Sequence, residues 1–385
     1  VNPLQSRDLP AVGGGWRPGD PVGDRAFVEC GPLALESGAE LPDVRLAYET
    51  WGHRSVDATG AVDNAILVLH ALTGDSHLAG AAGPGHPTPG WWDALVGPGR
   101  PLDTDRWYVV AANILGGCQG STGPSSAAPD GRPWGSRFPD LTVRDQVRAE
   151  VRLADRLGID RWAAVIGGSA GGMRALEWAI EQPGRVDRLL LLATSARASA
   201  EQIALSAIQQ AAIVHDHDFA GGDYYDHDHG PVRGLAVARQ VAHLSYRCEP
   251  ELEQRFGRDR NPVINGERPA YRVASYLEHH GVKLARRFDP NSYLVLTRAM
   301  DSHDVGRARG GVTAALSRIT ARTIVAGIDS DRLYPLPQQE ELAAGITTAG
   351  PVRVVRSLHG HDGFLVESEQ VGAIVTDLLD DHRRA

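Results

Sequence analysis

Gly167-Gly168-Ser169-Ala170-Gly171 has the pattern G-x-S-x-G. Small residues around a serine permit a sharp strand-to-helix turn that exposes its hydroxyl, the geometry a serine nucleophile needs. The flanking sequence supplies that context. An apolar run at 162–166 reads as a strand, and Met173, Leu176 and Ile180 recur at helical spacing after the turn. A hydroxyl at its ordinary pKa is a weak nucleophile, so Ser169 requires a histidine base and an orienting carboxylate, which after such a turn follow in the order acid, then histidine. Asp329 and Asp331 follow an apolar run at 323–326, and His359 and His361 follow another at 352–355; spacing alone does not choose within either pair. The amide of Ala170, at the start of the helix, is one expected oxyanion donor, and the amide of Leu72, in the loop His70-Ala71-Leu72-Thr73-Gly74-Asp75, is the other. His70 precedes the nucleophile and suits a loop-packing role. His215, His217, Asp218, Asp223, Asp226, His227, Asp228 and His229 crowd one region, but without H-E-x-x-H or paired-cysteine spacing they predict a solvated surface and no metal.

These residues have to be delivered by ordered elements. Residues 27–33 and 44–51 read as a β-hairpin about a turn at Glu36, Ser37 and Gly38. Short apolar runs at 65–69 and 107–111, each followed by a loop containing glycine, read as buried parallel strands. Thr142 can cap a helix in which Val143, Val147, Val151, Ala154 and Leu157 form one apolar stripe. A further strand is expected at 189–193. From 196 to 309 the pattern changes to helical periodicities mixed with His, Asp, Tyr and Arg, which predicts an inserted helical lid. Alternation returns with a strand at 323–326, a helix at 338–344, a strand at 352–355 and a terminal helix at 368–379. Strands alternating with helices imply a mostly parallel sheet with helices on both faces. The expected organisation is a catalytic core of residues 1–195 and 310–385 around a lid at 196–309.

Composition narrows the function classes. With 385 residues, 42% hydrophobic and 23% charged, the chain can bury a sizeable core. A formal net charge of -9 argues against a nucleic-acid partner. No apolar run approaches the ~18 to 20 residues needed to span a bilayer, and residues 1–15 lack the blocks of a secretory signal. A cytoplasmic location with no membrane partner is therefore expected. Cys30, Cys118 and Cys248 are too few and too scattered for a disulfide framework or a Cys-rich zinc site, and read as reduced thiols. Lys283 is the only lysine among 39 basic residues, and Leu284 follows it, which excludes a Walker A loop.

Ordered motifs along most of the chain resemble the homoserine O-acetyltransferase family of α/β-hydrolases. They are L-A-Y-E-T-W-G at 46–52, L-H-A-L-T-G-D at 69–75, N-I-L-G-G-C-Q-G-S-T-G-P-S-S at 113–126, G-G-S-A-G-G-M-R-A-L-E-W-A at 167–179, S-Y-L-V-L-T-R-A-M-D at 292–301 and G-H-D-G-F-L at 360–365. The resemblance implies an α/β-hydrolase fold and acetyl transfer from acetyl-CoA to the hydroxyl of L-homoserine, an early step toward methionine, by a ping-pong acyl-serine route without a bound cofactor. It places the nucleophile on Ser169, the acid on Asp331 in S-D-x-L-Y-P and the base on His361 in G-H-D. It also places a substrate-binding arginine on Arg239, in G-L-A-V-A-R, and a substrate-binding carboxylate on Asp362, matching the carboxylate and ammonium of homoserine. A homodimer built through the lid is implied as well. One departure stands out: the family usually carries a bulky residue, often Met, where this chain has Ala170, which bears on acyl-pocket size and on acetyl against succinyl preference. The rival readings are an O-succinyltransferase, a serine O-acyltransferase, an esterase and a non-catalytic scaffold.

Overall fold

A computed structural model describes residues 9–262 and 269–380. Residues 1–8, part of the stretch read for a secretory signal, lie outside the described residues, as do 263–268 and 381–385. The expected hairpin forms from β1 (Ala26–Ala34) and β2 (Glu40–Trp51), with register shifts on either side of Gly31. β3 (Ala65–Leu69) follows, then a separate short pair, β4 (Val96–Gly97) with β5 (Leu102–Asp103), and β6 (Tyr108–Ala112). α1 (Val143–Arg156) starts at Thr142, whose hydroxyl accepts from the Asp145 amide while the Asp145 carboxylate accepts from the Thr142 amide. That reciprocal cap satisfies two backbone donors the first turn leaves free. β7 (Ala164–Gly168) runs into α2 (Ala170–Glu181), and β8 (Arg188–Leu192) closes this half.

Among the described residues, five α-helices then intervene: α3 (Ala200–Val214), α4 (Val232–Tyr246), α5 (Glu249–Phe256), α6 (Arg272–Ala285) and α7 (Pro290–Asp301). After α8 (Val312–Leu316) the chain returns to the sheet through β9 (Arg322–Ile328), α9 (Leu336–Gly345), β10 (Arg353–Val355), α10 (Gly363–Val366) and α11 (Ser368–Leu379). The eight-stranded sheet has the order β1-β2-β6-β3-β7-β8-β9-β10; β1, β2 and β6 pair antiparallel and all later pairs are parallel. This is the mostly parallel α/β sheet read from the sequence.

Strand side chains point alternately to opposite faces, and the core divides accordingly. Leu67, Val110, Val165, Leu189 and Val325 pack with α1, α2 and α9 on one face. Ile66, Val109, Ile166, Leu190 and Ile324 pack with α11 on the other. A third cluster joins the inserted helices to the core and contains both Leu72 and Ala170, with Leu235, Phe288 and Tyr293. Most expected elements shift by one to three residues at their ends, and one such shift lies at Ser169. The strand before the nucleophile is not 162–166 but Ala164–Gly168, because Gly167 and Gly168 still pair with β8 and only Ser169 turns.

Candidate active site

Ser169 sits at the junction of β7 and α2 with φ 55° and ψ -123°, a left-handed conformation that costs a non-glycine residue about 1–3 kcal/mol. Surrounding bonds hold it there: the Ser169 amide donates to Leu192 O at 2.9 Å, and the Thr194 hydroxyl donates to Ser169 O at 2.9 Å. Two flanking glycines are required by close approach. A Cβ on Gly171 would lie 2.0 Å from Leu69 O, and one on Gly168 would lie 2.6 Å from the Phe364 ring.

His361 Nδ1 donates to Asp331 Oδ2 at 2.6 Å, with both side chains buried. Asp331 Oδ1 accepts from the amides of Leu333 and Tyr334 at 2.8 and 2.9 Å, so the carboxylate is fixed from both sides. Burial opposes a charge on His361, but the charge and hydrogen bond of Asp331 prevail and raise its pKa above the usual 6.5. The His361 ring stacks on Tyr334 with centroids 5.0 Å apart and meets the edge of Phe364 at 5.4 Å. Phe364 lies against Gly168, and the Tyr334 hydroxyl interacts with the Ser169 side chain, so both aromatic neighbours of the histidine border the nucleophile turn. The competing residues are engaged elsewhere. Asp329 accepts from the Ser357 amide at 3.0 Å, and His359, with its side chain 45% exposed, lies 3.4 Å from Glu251.

The amides of Leu72 and Ala170 donate to no other group among the described residues, as an oxyanion pair requires. The loop of Leu72 is tied to the nucleophile helix by Arg174, a fully buried residue of α2 that donates to His70 O at 2.5 Å and pairs with Glu150 of α1. His70 bonds the loop itself: its Nε2 accepts from the Ile114 amide at 3.1 Å, and burial pushes its pKa down to about 3, which keeps it neutral. Farther along, buried Glu49 accepts from Ser76 Oγ at 2.5 Å and His77 Nδ1 at 2.9 Å. Glu49, His77, His86 and Asp24 bring four ligand-type atoms within 4.8 Å of one another. His86 Nε2 accepts from the Asp24 amide at 3.0 Å and Glu49 holds Ser76 and His77, while His77 Nε2 and His86 Nδ1 are buried without a hydrogen-bond partner among the described residues. In the stretch 215–229, rich in His and Asp, His217 pairs with Asp218 at 3.0 Å and His215 with Ala211 O at 2.9 Å.

Arg239 lies with its guanidinium 3.4 Å from Thr73 Oγ1 and 5.2 Å from the Tyr246 ring centroid. It has no ion-pair partner among the described residues. Desolvation, and then the Arg239 charge, lower the pKa of His243 to about 2 and of His280 to about 4. An unneutralised cation in a partly buried site, beside the loop of Leu72, is arranged to receive an anion. Asp362, in the turn beside His361, is paired with Arg247 at 3.2 Å. A small cavity of about 50 Å³ opens among Leu72, Met173, Tyr246, Tyr334 and Asp301.

A nucleophile turn, a buried His–Asp pair and two free amides are common to many hydrolases and transferases, and full-length similarity separates them. A family model described as the alpha/beta hydrolase fold matches residues 64–365. The chain is 62% identical to a homoserine O-acetyltransferase of Thermobifida fusca (strain YX) over 377 residues, 96% of this chain and 97% of that one. The chain belongs to the homoserine O-acetyltransferase family. A second member, from Clavibacter michiganensis, is 56% identical over 96% of both chains. Among solved structures, a homoserine O-acetyltransferase from Bacillus anthracis superposes with a TM-score of 0.83 at 25% identity, covering 92% of this chain and 97% of that one. Esterase E22 superposes equally well, with a TM-score of 0.82 at 26% identity and coverage of 92% and 99%. Shape alone therefore does not distinguish transfer from hydrolysis.

Within this acyltransferase family frame, the residues missed from the sequence are Arg174, Glu150, Tyr334 and Arg247. A faint signal existed for two of them. Glu150 lies one residue from the apolar stripe of α1, and Arg174 sits amid apolar neighbours on α2, a complementary charge pair on two helices that pack together. Ala170 is buried in the cluster that joins the inserted helices to the core.

Proposed function

We propose that this chain transfers an acetyl group from acetyl-CoA to the side-chain hydroxyl of L-homoserine through an acyl-Ser169 intermediate, feeding methionine synthesis in the cytoplasm. What carries this reading is Arg239, a partly buried cation without an ion-pair partner among the described residues, beside the loop of Leu72 in a chain with full-length similarity to such enzymes. His361, held by Asp331, takes the Ser169 proton as the hydroxyl attacks the thioester carbonyl, while the Leu72 and Ala170 amides stabilise the tetrahedral oxyanion. The C–S bond breaks and His361 returns the proton to the departing thiolate. Homoserine then binds with its carboxylate on Arg239 and its ammonium toward Asp362, which shares its charge with Arg247. His361 deprotonates the substrate hydroxyl, which attacks the acyl carbonyl; the bond from that carbon to Ser169 Oγ breaks, His361 returns the proton to Ser169, and O-acetylhomoserine leaves. No bound cofactor enters these steps. The segment 196–309 acts as the lid that limits access of water, the competing acceptor.

A homodimer through this lid is part of the proposal. The outward row of α3 is apolar, with Ile203 40% and Ile208 57% exposed, and Val237 and Leu244 of α4 are each 41% exposed. Exposed apolar residues gathered on two adjoining helices mark an association surface.

The second reading is ester hydrolysis, favoured by the likeness to esterase E22. Steady-state rates with acetyl-CoA and succinyl-CoA against homoserine, serine and water separate the possibilities. Arg239→Ala sharpens the test: removing a desolvated charge contact costs about 2 to 5 kcal/mol, or roughly 30- to 3,000-fold in kcat/KM for homoserine. Release of CoA in the first half-reaction should stay within about a few-fold of wild type. Equal slowing of both half-reactions would remove the homoserine-carboxylate role.

A further inference from the structure

Between β3 and the short pair of β4 and β5, residues 70–92 form no helix or strand. An irregular stretch of that length is uncommon in a compact fold unless something holds it. Two histidines from it, His77 and His86, stack with ring centroids 3.9 Å apart and 14° between the ring planes. They meet Glu49 of β2 and Asp24, which precedes β1, so three separate parts of the sequence converge. Glu49 Oε2 lies 2.9 Å from His77 Nδ1 and 3.7 Å from His86 Nε2, and four ligand-type atoms, one from each residue, all lie within 4.8 Å of one another. Glu49, His77 and His86 are buried, and Asp24 is exposed on the solvent side of the group.

Hydrogen bonds within the group account for only part of this convergence. Because His86 Nε2 accepts from the Asp24 amide, that nitrogen has no proton to offer Glu49, and the two face each other as acceptors. The Asp24 carboxylate is a third acceptor, and no hydrogen bond or ion pair engages it among the described residues. Against these acceptors the four side chains supply one hydrogen, from His77 Nδ1 to Glu49. Arg25, next in sequence to Asp24, does not balance the carboxylates, because its guanidinium is spent on the carbonyls of Val22 and Gly85 and on Gln119 Oε1. The remaining ring nitrogens, His77 Nε2 and His86 Nδ1, are buried without a partner. Each can carry its ring's proton without breaking a hydrogen bond, which leaves His77 Nδ1 and His86 Nε2 to turn lone pairs toward Glu49 Oε2. Glu49 Oε1 meanwhile stays with Ser76 Oγ at 2.5 Å, a bond that orients the carboxylate.

Two imidazole nitrogens and two carboxylate oxygens suit zinc, whereas calcium and magnesium call for more oxygen ligands. Ligands of a tetrahedral zinc are spaced by roughly 3.3 Å, and the separations of 2.9 and 3.7 Å bracket that value. We propose that Asp24, Glu49, His77 and His86 bind one zinc ion as a closed structural site, which pins the irregular stretch 70–92 to β2 and to the segment before β1. Four protein ligands leave no open position for a substrate, so acyl transfer does not pass through the ion. The test uses the intact chain, stripped with a chelator and titrated with zinc against a chromogenic chelator. We expect one zinc per chain with a Kd of about 1 µM or tighter, and a melting temperature that rises with zinc concentration. Cobalt(II) in its place should show the intense visible absorption of a tetrahedral site. Asp24→Asn, an exposed change, should weaken zinc binding by about tenfold or more, and His86→Gln should remove the stoichiometric site; melts without zinc check their folding. His227→Gln/His229→Gln, which removes exposed histidines from the stretch 215–229, should bind zinc as wild type does. A wild-type chain that binds no stoichiometric zinc or melts alike with and without it overturns the site and leaves a hydrogen-bonded anchor. So does a folded Asp24→Asn chain with wild-type affinity, or loss of the zinc in the His227 and His229 variant.

Discussion

Asp331 and His361 show how one hydrogen bond can set both a pKa and a pH profile. A general base must be neutral to accept a proton, so activity falls as pH drops through the pKa of His361. Because Asp331 raises that pKa, the acid limb of kcat/KM should lie above pH 6.5, and Asp331→Asn should move it to lower pH. The same substitution should lower kcat by roughly 10⁴-fold, since it removes the charge that holds the reactive tautomer. Asp329→Asn should stay within about a few-fold, because among the described residues the Asp329 carboxylate holds the Ser357 amide and not His361. A pH–rate profile of the two variants decides this; an unmoved limb in Asp331→Asn would assign the limb to another group. Ser169→Ala should abolish the acetyl adduct seen by intact mass after mixing with acetyl-CoA. An adduct on another residue would sink the nucleophile assignment.

At the scale of elements, the nucleophile turn depends on β3 and α2 nearly touching. Gly171→Ala places a methyl against the Leu69 carbonyl, which belongs to the backbone and cannot swing aside. Overpacking of this kind costs about 1–3 kcal/mol, and relief requires α2 to withdraw from the Leu72 loop. The expected result is a lower melting temperature together with slower acylation of Ser169. Thr142→Ala offers the contrast: it removes a helix cap worth about 1 kcal/mol, together with a bond to Glu36 at 2.5 Å, remote from the reacting atoms. Its melting temperature should fall while acylation of the folded protein is unchanged. If both variants lose stability without loss of acylation, the spacing between β3 and α2 does not govern the oxyanion pair.

For the whole molecule, the inserted helices carry both Arg239 and the exposed apolar residues of α3. Ile208→Asp places a charge among those residues without touching Arg239, and should convert the proposed dimer to monomers in light scattering at micromolar concentration. A variant that scatters as wild type assigns the dimer to another surface. Among the described residues no helix is long and apolar enough to cross a membrane, so the apolar row on α3 does not mark a spanning segment.

Much of this architecture was legible because it depends on local rules. Period-2 and 3.6-residue patterns marked the strands and helices, Thr142 marked a helix start, and glycines on both sides of Ser169 marked a turn where no side chain fits. The choice of Asp331 over Asp329 and of His361 over His359 was different in kind: the residues recommended neither, and family resemblance made the choice. Only the folded chain supplies a physical reason, since Asp331 accepts from His361 while Asp329 and His359 are drawn to Ser357 and Glu251. The Arg174–His70 tie and the Arg247–Asp362 pair also join residues far apart in the chain. Sequence fixes the chemistry a side chain can offer. Which partners meet, and which amides and cations are left to face a substrate, is decided when distant segments pack and water is excluded, because only then does a group's environment set its charge and its hydrogen bonds.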